Sequence, residues 1–582
     1  MSEYYWPCDS ECVIRMLNLN QPLDPSSFKV LIYDDFCIKI IDRLMQVKDR
    51  QKQGVTLEFP IITKPNIPDV AAVYFVQPTE TNIQRIISDV STSLYDTFHL
   101  NFSSSIPRTL LEDLASGTLH SGSIERIVKV QDQYLEFDTL EDNLFSLGQD
   151  SVYVQLNDPS ATDREIEEII EKIVNGIFCV LATLNVVPVI RCPRGGPAEM
   201  IASSLDQKLR DMINLFTEQG RGGQRPLLCI FDRNFELSVG IQHEFRYMPL
   251  VHDVLGLKKT FVDSSDTFWS ANGPHEFPQI ALEIETQLNK YKKDVDEVNN
   301  RTGGGSEEFD LIGNTKHLMN AVNSLPELTK RKEIIDKHTN IATALLREIK
   351  ERSLDAYTEK ESDMMIRGGS IDMSDLLSVL KGNGTKMDKL RFAIMYLISL
   401  ETINQSEVEA VEAALREAEV DTSAFQYVKK IKSLNVSFAA SANSESRSNI
   451  VDWAEKLYGQ SINVVTAGVK NLLSSDQQLA VARAVEALTE GKQNAETDSY
   501  LMLDPRASKS GASGSSSHVK GLFREAIVFM VGGGNYIEYN SLQELAQRQE
   551  TVKNIIYGVT EILNGTELVE QLALLGQKMG LN

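Results

Sequence analysis

Two glycine-rich turns are the segments of this sequence that could hold a phosphate. Gly532 to Asn535 follows the apolar run Ala526 to Val531, and a second turn, RGGPAE, spans Arg194 to Glu199. A glycine turn between a strand and a helix can bind phosphate through its backbone N–H groups. Neither turn is followed by Gly-Lys-Ser/Thr, and neither has the Gly-x-Gly-x-x-Gly spacing. We therefore interpret both as tight turns, in which glycine adopts positive φ at little cost.

Asp232 and Arg233 are candidates for acid–base chemistry because they end an apolar, strand-like run. Active sites form where parallel strands end. We favour instead an ion pair that ties the sheet to neighbouring loops. The eight histidines and six cysteines have no HExxH or CxxC spacing, and no Gly-x-Ser-x-Gly elbow is present. We expect no catalytic residue, no metal site and no cofactor.

The elements that precede these turns begin with an α/β domain. Lys29 to Tyr33, Ala71 to Val76 and Phe98 to Phe102 are predicted strands. Thr79 offers a helix cap after the second of them, and Leu110 to Ala115 starts a further helix. The strand–turn–helix order is typical of a parallel sheet. We place the first domain at residues 1–125.

A second α/β series follows. We predict strands at Val152 to Leu156, Val187 to Arg191 and Leu227 to Phe231, with helices at Arg164 to Asn185 and Met200 to Phe216. After about residue 250 the pattern becomes helical, with apolar residues at three- and four-residue spacing. Further predictions in this helical part are Leu325 to Ile349, the apolar stretch Lys389 to Leu400, and a capping box formed by Ser406 and Glu409.

The predicted strand Ala526 to Val531 lies more than 250 residues beyond Leu227 to Phe231. A lone strand–helix unit cannot bury both faces of its sheet, so this strand is expected to complete a sheet begun before residue 250. The fold class is therefore α/β with a large helical insertion. We assign residues 126–250 and 480–582 to a discontinuous central domain and residues 251–479 to the helical domain.

Charge and targeting signals narrow the class of partner. The net charge is −24, with 82 acidic and 58 basic residues, so binding to nucleic acid is disfavoured by repulsion from phosphate. The sequence shows no secretory signal and no spanning helix, and its cysteines are scattered. We expect a monomeric protein of the reducing cytosol, whose membrane contact is indirect.

Four strings together resemble one family. They are YFVQPTETNIQRI from Tyr74, RGGPAE from Arg194, LCIFDRNFEL from Leu228 and AIVFMVGGGNYIE from Ala526. In this order they resemble the SM proteins, the Sec/Munc-type regulators of SNARE-mediated vesicle fusion. LLEDLA from Leu110 is most similar to the ER–Golgi, Sly-type branch. The resemblance covers nearly the whole chain and implies a three-domain, arch-shaped architecture without enzymatic activity.

The resemblance implies that the first domain binds the N-terminal peptide of a Golgi syntaxin. Leu111, Leu114 and Ala115 share one helix face, and Ile127 and Val130 offer a second apolar stripe. These five residues are the expected peptide pocket. The alternative is that all five belong to the core. On the pocket reading, Leu114→Lys abolishes binding without unfolding the domain.

The resemblance also implies that helices around Leu325 to Ile349 form a hairpin that contacts an R-SNARE and the assembling SNARE bundle. Pro326 would begin or bend a helix there, and Ile335 and Leu346 are expected to face a partner. The preceding segment from Asn289 to Asn314 is predicted to be a loop. It is interpreted either as a connector or as a lid over the hairpin, through Gly303, Gly304, Gly305 and Phe309.

The function implied by the resemblance is a SNARE-binding regulator that promotes membrane fusion in ER–Golgi transport. Rab proteins and tethers are further candidate partners, and the expected location is the cytoplasm and the surface of ER and Golgi membranes. The rival hypothesis is an α/β enzyme, a hydrolase or nucleotide-binding protein with a helical lid. It requires a phosphate loop or a nucleophile–base pair, and neither is visible in the sequence.

Overall fold

The structure is a computed structural model. It describes residues 10–19, 28–216, 225–256, 266–302, 311–366, 371–400, 404–441, 478–491, 497–507, 523–549 and 554–581. Within these ranges, no helix is long and apolar enough to cross a bilayer.

The first sheet has five parallel strands in the order β2-β1-β3-β4-β5. They are β1 (Lys29–Tyr33), β2 (Val55–Pro60), β3 (Ala71–Val76), β4 (Phe98–Phe102) and β5 (Ile127–Asp132). The predicted strands β1, β3 and β4 are confirmed. Because β5 belongs to this sheet, the sheet extends to Asp132, beyond the expected domain boundary at residue 125.

Helices accompany this sheet on both faces. They are α1 (Ser10–Leu17), α2 (Cys37–Leu44), α3 (Val47–Lys52), α4 (Glu80–Ser91) and α5 (Arg108–His120). Thr79 caps α4 as predicted, because its side chain accepts a hydrogen bond from the Asn82 N–H. Helices α4 and α5 follow β3 and β4, and their apolar sides pack on one face of the sheet.

The second sheet has seven strands in the order β10-β8-β9-β11-β12-β7-β6. They are β6 (Asp138–Glu141), β7 (Leu144–Ser146), β8 (Val189–Cys192), β9 (Leu227–Asp232), β10 (Leu501–Leu503), β11 (Glu525–Val531) and β12 (Asn554–Val559). Strand β11 pairs in parallel with β9, with Ala526 opposite Leu227. The expectation that the late strand completes an earlier sheet is therefore confirmed.

The helices after the first sheet fall into three groups. Those of the central series are α6 (Val152–Asn157), α7 (Asp163–Leu184) and α8 (Pro197–Asp211). The insertion holds α9 (Tyr247–Leu255), α10 (Thr267–Asn272), α11 (Phe277–Thr302), α12 (Leu311–Arg352), α13 (Leu354–Ile366), α14 (Met373–Lys381), α15 (Lys386–Ser399), α16 (Gln405–Glu417) and α17 (Ser423–Ser441). The last group is α18 (Ala480–Glu490), α19 (Tyr536–Arg548) and α20 (Gly565–Lys578). The boundary expected at residue 250 falls inside α9.

Three local predictions are wrong. Val152 to Leu156 is helix α6 rather than a strand, and most of its side chains are buried, so its apolar pattern does not distinguish a helix from a strand. Asn404, not Ser406, caps α16, by accepting a hydrogen bond from the Ser406 N–H. The loop expected from Asn289 to Asn314 is helical up to Thr302 and again from Leu311.

Some predictions fall on residues outside the described ranges. Gly303, Gly304, Gly305 and Phe309, the residues of the expected lid, lie between α11 and α12 and are not among the described residues. The sequence also predicts loops at 437–449, which is rich in Ser, Ala and Asn, and at 507–517, which is rich in Ser and Gly. Residues 437–441 are instead part of α17, and Ala507 is described. The other residues of both segments lie outside the described ranges.

One hydrophobic core joins the two sheets. Val73 and Phe75 of the first sheet pack in the same buried cluster as Ile173 and Ile177 of α7 and Phe529 of β11. This shared core fixes the first domain against the central one. Two further clusters lie between the second sheet and the start of the insertion, and among the helices from α13 to α17 together with α20.

Candidate functional site

Arg233 is a buried cation that is paired within the protein. It is 1% exposed, and its Nη2 and Nη1 donate to the two carboxylate oxygens of Glu538 at 2.7 and 2.9 Å. Tyr557 donates to the same carboxylate at 2.5 Å. Arg233 thus forms an ion pair as predicted, but its partner lies in helix α19 rather than in a neighbouring loop, 305 positions along the chain. Asp232 instead accepts a hydrogen bond from the Asn234 N–H. The pair ties β9 to α19, on opposite sides of the insertion.

Two acids beside Arg233 have altered acidity. Burial raises the pKa of Asp232 to about 6. Burial, and then the charge of Glu538, raise the pKa of Glu236 to about 7. Glu236 Oε2 accepts the N–H of Ala480, the first residue of α18, at 3.1 Å. Glu236 Oε1 has no hydrogen-bond partner among the described residues. The ionised form of Glu236 is therefore destabilised in the folded protein relative to the unfolded chain.

Glu236→Gln is expected to flatten the dependence of stability on pH. The folded protein retains the Glu236 proton up to a pKa of about 7, whereas the unfolded chain releases it near 4.5. Stability therefore falls as pH rises through that window. Glutamine can still accept from Ala480, so the variant should gain about 1–3 kcal/mol at pH 8. Thermal unfolding at pH 5 to 8 measures this, and a variant that is less stable at pH 8 contradicts it.

The glycine turn after β11 is filled by the protein itself. The N–H groups of Gly532 and Gly533 both donate to Thr560 Oγ1, at 3.0 and 3.1 Å. Gly532 and Gly533 have φ of 83° and 100°, which confirms the tight-turn interpretation. A Cβ at Gly533 would lie 2.3 Å from Leu563. The N–H groups that a phosphate would need are therefore already used, and no metal-binding cluster occurs in the described part of the chain.

Helix α5 presents apolar side chains on a firm base. Gly117 allows it to approach α4 closely, because a Cβ there would lie 2.7 Å from Ile87. Leu114 is 2% exposed and packs in the core of the first sheet. Leu111, 41% exposed, and Ala115 lie on the outer side of the helix. Leu114 therefore lies in the core beneath the surface rather than on it, and we now expect Leu114→Lys to destabilise the domain as well as to abolish binding.

A β-bulge sets the direction of the side chains on β5. Phe98 pairs with Ile127, and Leu100 pairs with Val130, so Val128 is an extra residue. In a regular strand, residues three apart face opposite sides. The bulge brings Ile127 and Val130 to the face that carries Leu100 and the α4–α5 core. Val130 is 40% exposed, whereas Ile127 is partly buried.

The five residues expected from the sequence thus lie on the same side of the first sheet. Leu111, Ala115 and Val130 are exposed, with Leu114 and Ile127 packed beneath them. We call these five residues the α5–β5 surface. The sequence reasoning missed Leu119, Ile124 and Val128, which are also exposed nearby. Leu119 continues the four-residue spacing of Leu111 and Ala115, and that spacing could have identified it.

The helical hairpin consists of α11 and α12, aligned by an ion pair of 2.7 Å between Arg331 and Asp294. Leu346 is 43% exposed, as expected for a partner contact. Ile335 is 5% exposed and belongs to the interior, so its expected role is wrong. Pro326 lies inside α12, 15 residues after the helix begins at Leu311. It is not a first-turn proline and interrupts one backbone hydrogen bond within the helix.

The root of the hairpin is held by a buried polar cluster that the sequence did not reveal. His338 of α12 is fully buried and meets the Tyr247 hydroxyl at 2.9 Å and the Asp266 carboxylate at 3.2 Å. Asp266 also caps α10. Burial alone would raise the pKa of Asp266, but hydrogen bonds from His338 and Lys337 hold it well below its usual range. The carboxylate of Asp266 therefore joins the base of the hairpin to the N-terminus of α10.

Comparison with known proteins agrees with this architecture. The Sec1 family model matches residues 29–571. SEC1 family transport protein SLY1 of Arabidopsis thaliana is 73% identical over 98% of this chain and 96% of its own length. Sec1 family domain-containing protein 1 of Homo sapiens is 38% identical over 97% of this chain and 96% of its own.

Solved structures give the same result. The crystal structure of Sly1p in complex with an N-terminal peptide of Sed5p superposes with a TM-score of 0.78 at 31% identity, and covers 98% of this chain and 99% of its own. Vps45 in complex with the Qa SNARE Tlg2 has a TM-score of 0.74 at 19% identity, with 98% of each chain covered, which supports the fold. The architecture is the arch-shaped one with two α/β domains and a mainly helical third domain. The first sheet is wholly parallel, whereas the edge strands β6 and β10 of the second sheet run antiparallel to their neighbours, which corrects the expectation of two parallel sheets. The chain belongs to the Sec1 family of SM proteins, in its Sly-type branch.

Proposed function

We propose that this protein is a SNARE-binding regulator that promotes membrane fusion in transport between the ER and the Golgi. Its α5–β5 surface captures the N-terminal peptide of a Golgi syntaxin. The observation that carries the proposal is the exposed apolar set Leu111, Ala115 and Val130 above a packed base. The crystal structure of Sly1p, which has the same fold, contains a bound N-terminal peptide of Sed5p, and this supports the proposal.

The geometry suits capture of one apolar side chain of the peptide. Ala115 is small and exposed, so it leaves more room beside Leu111 on the outer side of α5 than a larger side chain would. Leu114 and Ile127 close the floor of the surface with apolar groups. Burial of one leucine or phenylalanine side chain there contributes about 1.5–3 kcal/mol. Because the floor is already packed in the free protein, little ordering is needed before binding.

Titration with a synthetic N-terminal peptide of Sed5p tests the function. We expect saturable binding by isothermal titration calorimetry, with a negative heat-capacity change from apolar burial. A peptide of the same composition in scrambled order serves as the control. Failure of the native peptide to bind, or equal binding of both, contradicts the proposal.

We further propose that the α11–α12 hairpin contacts an R-SNARE and the assembling four-helix bundle. The exposed apolar side chain of Leu346 on α12 supports this proposal. The helix is held in place at the base of the hairpin by the contact of His338 with Asp266. Rab proteins and tethers are additional partners in this proposal. The protein acts as a monomer, from the cytoplasm, at the surface of ER and Golgi membranes. This function requires neither a cofactor nor a catalytic residue.

Leu346→Asp is expected to slow fusion of liposomes that carry SNAREs about threefold or more, because the carboxylate must lose water on contact with an apolar partner. The affinity for the syntaxin peptide should not change. Leu574→Asp is the matched control, since Leu574 is 47% exposed on α20, away from the hairpin. Fusion at the parental rate in the Leu346 variant contradicts the proposed contact.

The proposed division of labour follows three domains. The first binds the peptide, the third contacts SNAREs through the hairpin, and the central domain holds the two in fixed relation. We move the end of the first domain from residue 125 to after Asp132, because β5 pairs in the first sheet. The central domain keeps residues 480–582, and α18 begins at Ala480.

A further inference from the structure

Exposed apolar side chains are concentrated at one corner of the first domain. Fifteen large apolar residues are exposed in the described part of the chain, and five of them lie between residues 111 and 130. Single exposed leucines are ordinary on a protein surface, whereas a contiguous group marks an interaction site. The α5–β5 surface accounts for only two of the five, Leu111 and Val130. The other three are Leu119, Ile124 and Val128.

The residues of α5 form a continuous line. Leu111, Ala115 and Leu119 follow one another at four-residue spacing and lie on one face of the helix. With a rise of 1.5 Å per residue, the line is about 12 Å long. Leu119 is 64% exposed, more than Leu111. The apolar line thus continues for a full turn beyond Ala115.

The turn after α5 adds two more apolar groups at this end. The N–H of Gly122 donates to the Leu119 carbonyl at 3.0 Å, so the chain reverses at once. Ile124 lies in the short helical turn that follows, and Val128 is the extra residue of the bulge, 59% exposed. Leu119, Ile124 and Val128 are therefore exposed apolar residues at the C-terminal end of α5, in the turn that follows it and at the start of β5.

We infer that Leu119, Ile124 and Val128 form a second apolar subsite, which binds a second apolar side chain of the same peptide. This rests on the proposed function, because the subsite is continuous with the α5–β5 surface. Ala115 and Leu119 are about 6 Å apart along the helix axis. Two apolar side chains of the peptide that reach the two subsites should therefore be four residues apart if the peptide is helical, or two residues apart if it is extended. The peptide is held at two points rather than at one.

Variants at the subsite test this in the full chain, with a labelled 20-residue N-terminal peptide of Sed5p and fluorescence anisotropy. Leu119→Asp and Val128→Asp should each raise the Kd about tenfold or more, because a carboxylate replaces an apolar contact. Ile62→Asp is the matched control, since Ile62 is 65% exposed in the same domain, beyond the opposite edge of the sheet. It should change the Kd less than about twofold.

The outcomes separate this inference from the proposed function. If Val130→Asp weakens binding while Leu119→Asp and Val128→Asp stay within about twofold of the parent, the second subsite is wrong and the function stands. If Val130→Asp also leaves the Kd unchanged, the peptide surface itself is wrong. An alanine scan of the peptide against the unaltered protein gives an independent measurement. The inference requires two sensitive apolar positions, and a single one overturns it.

Discussion

Val130→Asp is expected to weaken binding of the syntaxin N-terminal peptide by roughly 30- to 1000-fold, a loss of about 2–4 kcal/mol. The new carboxylate would lie on the exposed α5–β5 surface and would lose water when the peptide covers it. Folding should not suffer, because Val130 is on an edge strand and 40% exposed. Calorimetric titration with the Sed5p peptide measures the loss.

The neighbouring residue provides a close control. Gln131 is exposed on the same strand but pairs with Asn101, so it faces the other side of the sheet. Gln131→Asp introduces the same charge one residue away and should change the Kd less than about twofold. Equal losses from the two variants would indicate a general electrostatic effect and would contradict a specific apolar surface.

Glu538→Gln is expected to lower the free energy of unfolding by about 3–5 kcal/mol, or to prevent folding altogether. The change leaves Arg233 charged and buried, without the two charge-assisted hydrogen bonds of 2.7 and 2.9 Å that now neutralise it. Urea unfolding followed by circular dichroism measures the loss. A decrease below about 1 kcal/mol would contradict the role assigned to the pair.

A surface pair with a similar distance serves as the matched control for Glu538. Arg164 and Glu168 form an ion pair of 2.9 Å on α7, with side chains 87% and 53% exposed. Glu168→Gln should therefore cost less than about 0.5 kcal/mol. A double variant that replaces Arg233 with methionine and Glu538 with leucine should recover part of the lost stability, because it removes the uncompensated charge.

Sequence patterns were sufficient where local chemistry decides the structure. Strands β3 and β4 were predicted at their observed limits, because apolar runs there are bounded by turn and cap residues. The discontinuous central sheet was also predictable, since a single late strand needs partners. The strand predicted at Val152 to Leu156 is wrong. This segment is a helix with nearly all of its side chains buried, so its apolar residues show neither the helical nor the strand period.

The details of the candidate surface depend on tertiary structure. The bulge at Val128, which places Ile127 and Val130 on one face, has no glycine or proline to indicate it. Leu114 and Leu111 differ in burial because α5 packs against α4, through Gly117 and Ile87. On α12, Ile335 and Leu346 lie on nearly the same side of the helix, and only the packing of the folded chain determines that Ile335 is covered and Leu346 is exposed. The sequence also does not identify Glu538 as the partner of Arg233, because the two residues are 305 positions apart.

The order of strands in the second sheet has a consequence for synthesis of the protein. Strands β11 and β12 occupy the positions between β9 and β7, yet β11 begins 293 residues after β9 ends at Asp232. At about 5–20 residues per second, a ribosome needs roughly 15–60 s to make that segment. During this time the facing edges of β9 and β7 have no partner strand, and open edges of apolar strands invite pairing with other chains. The central sheet must therefore form late, and the nascent chain depends on protection of those edges until residues 525–559 emerge.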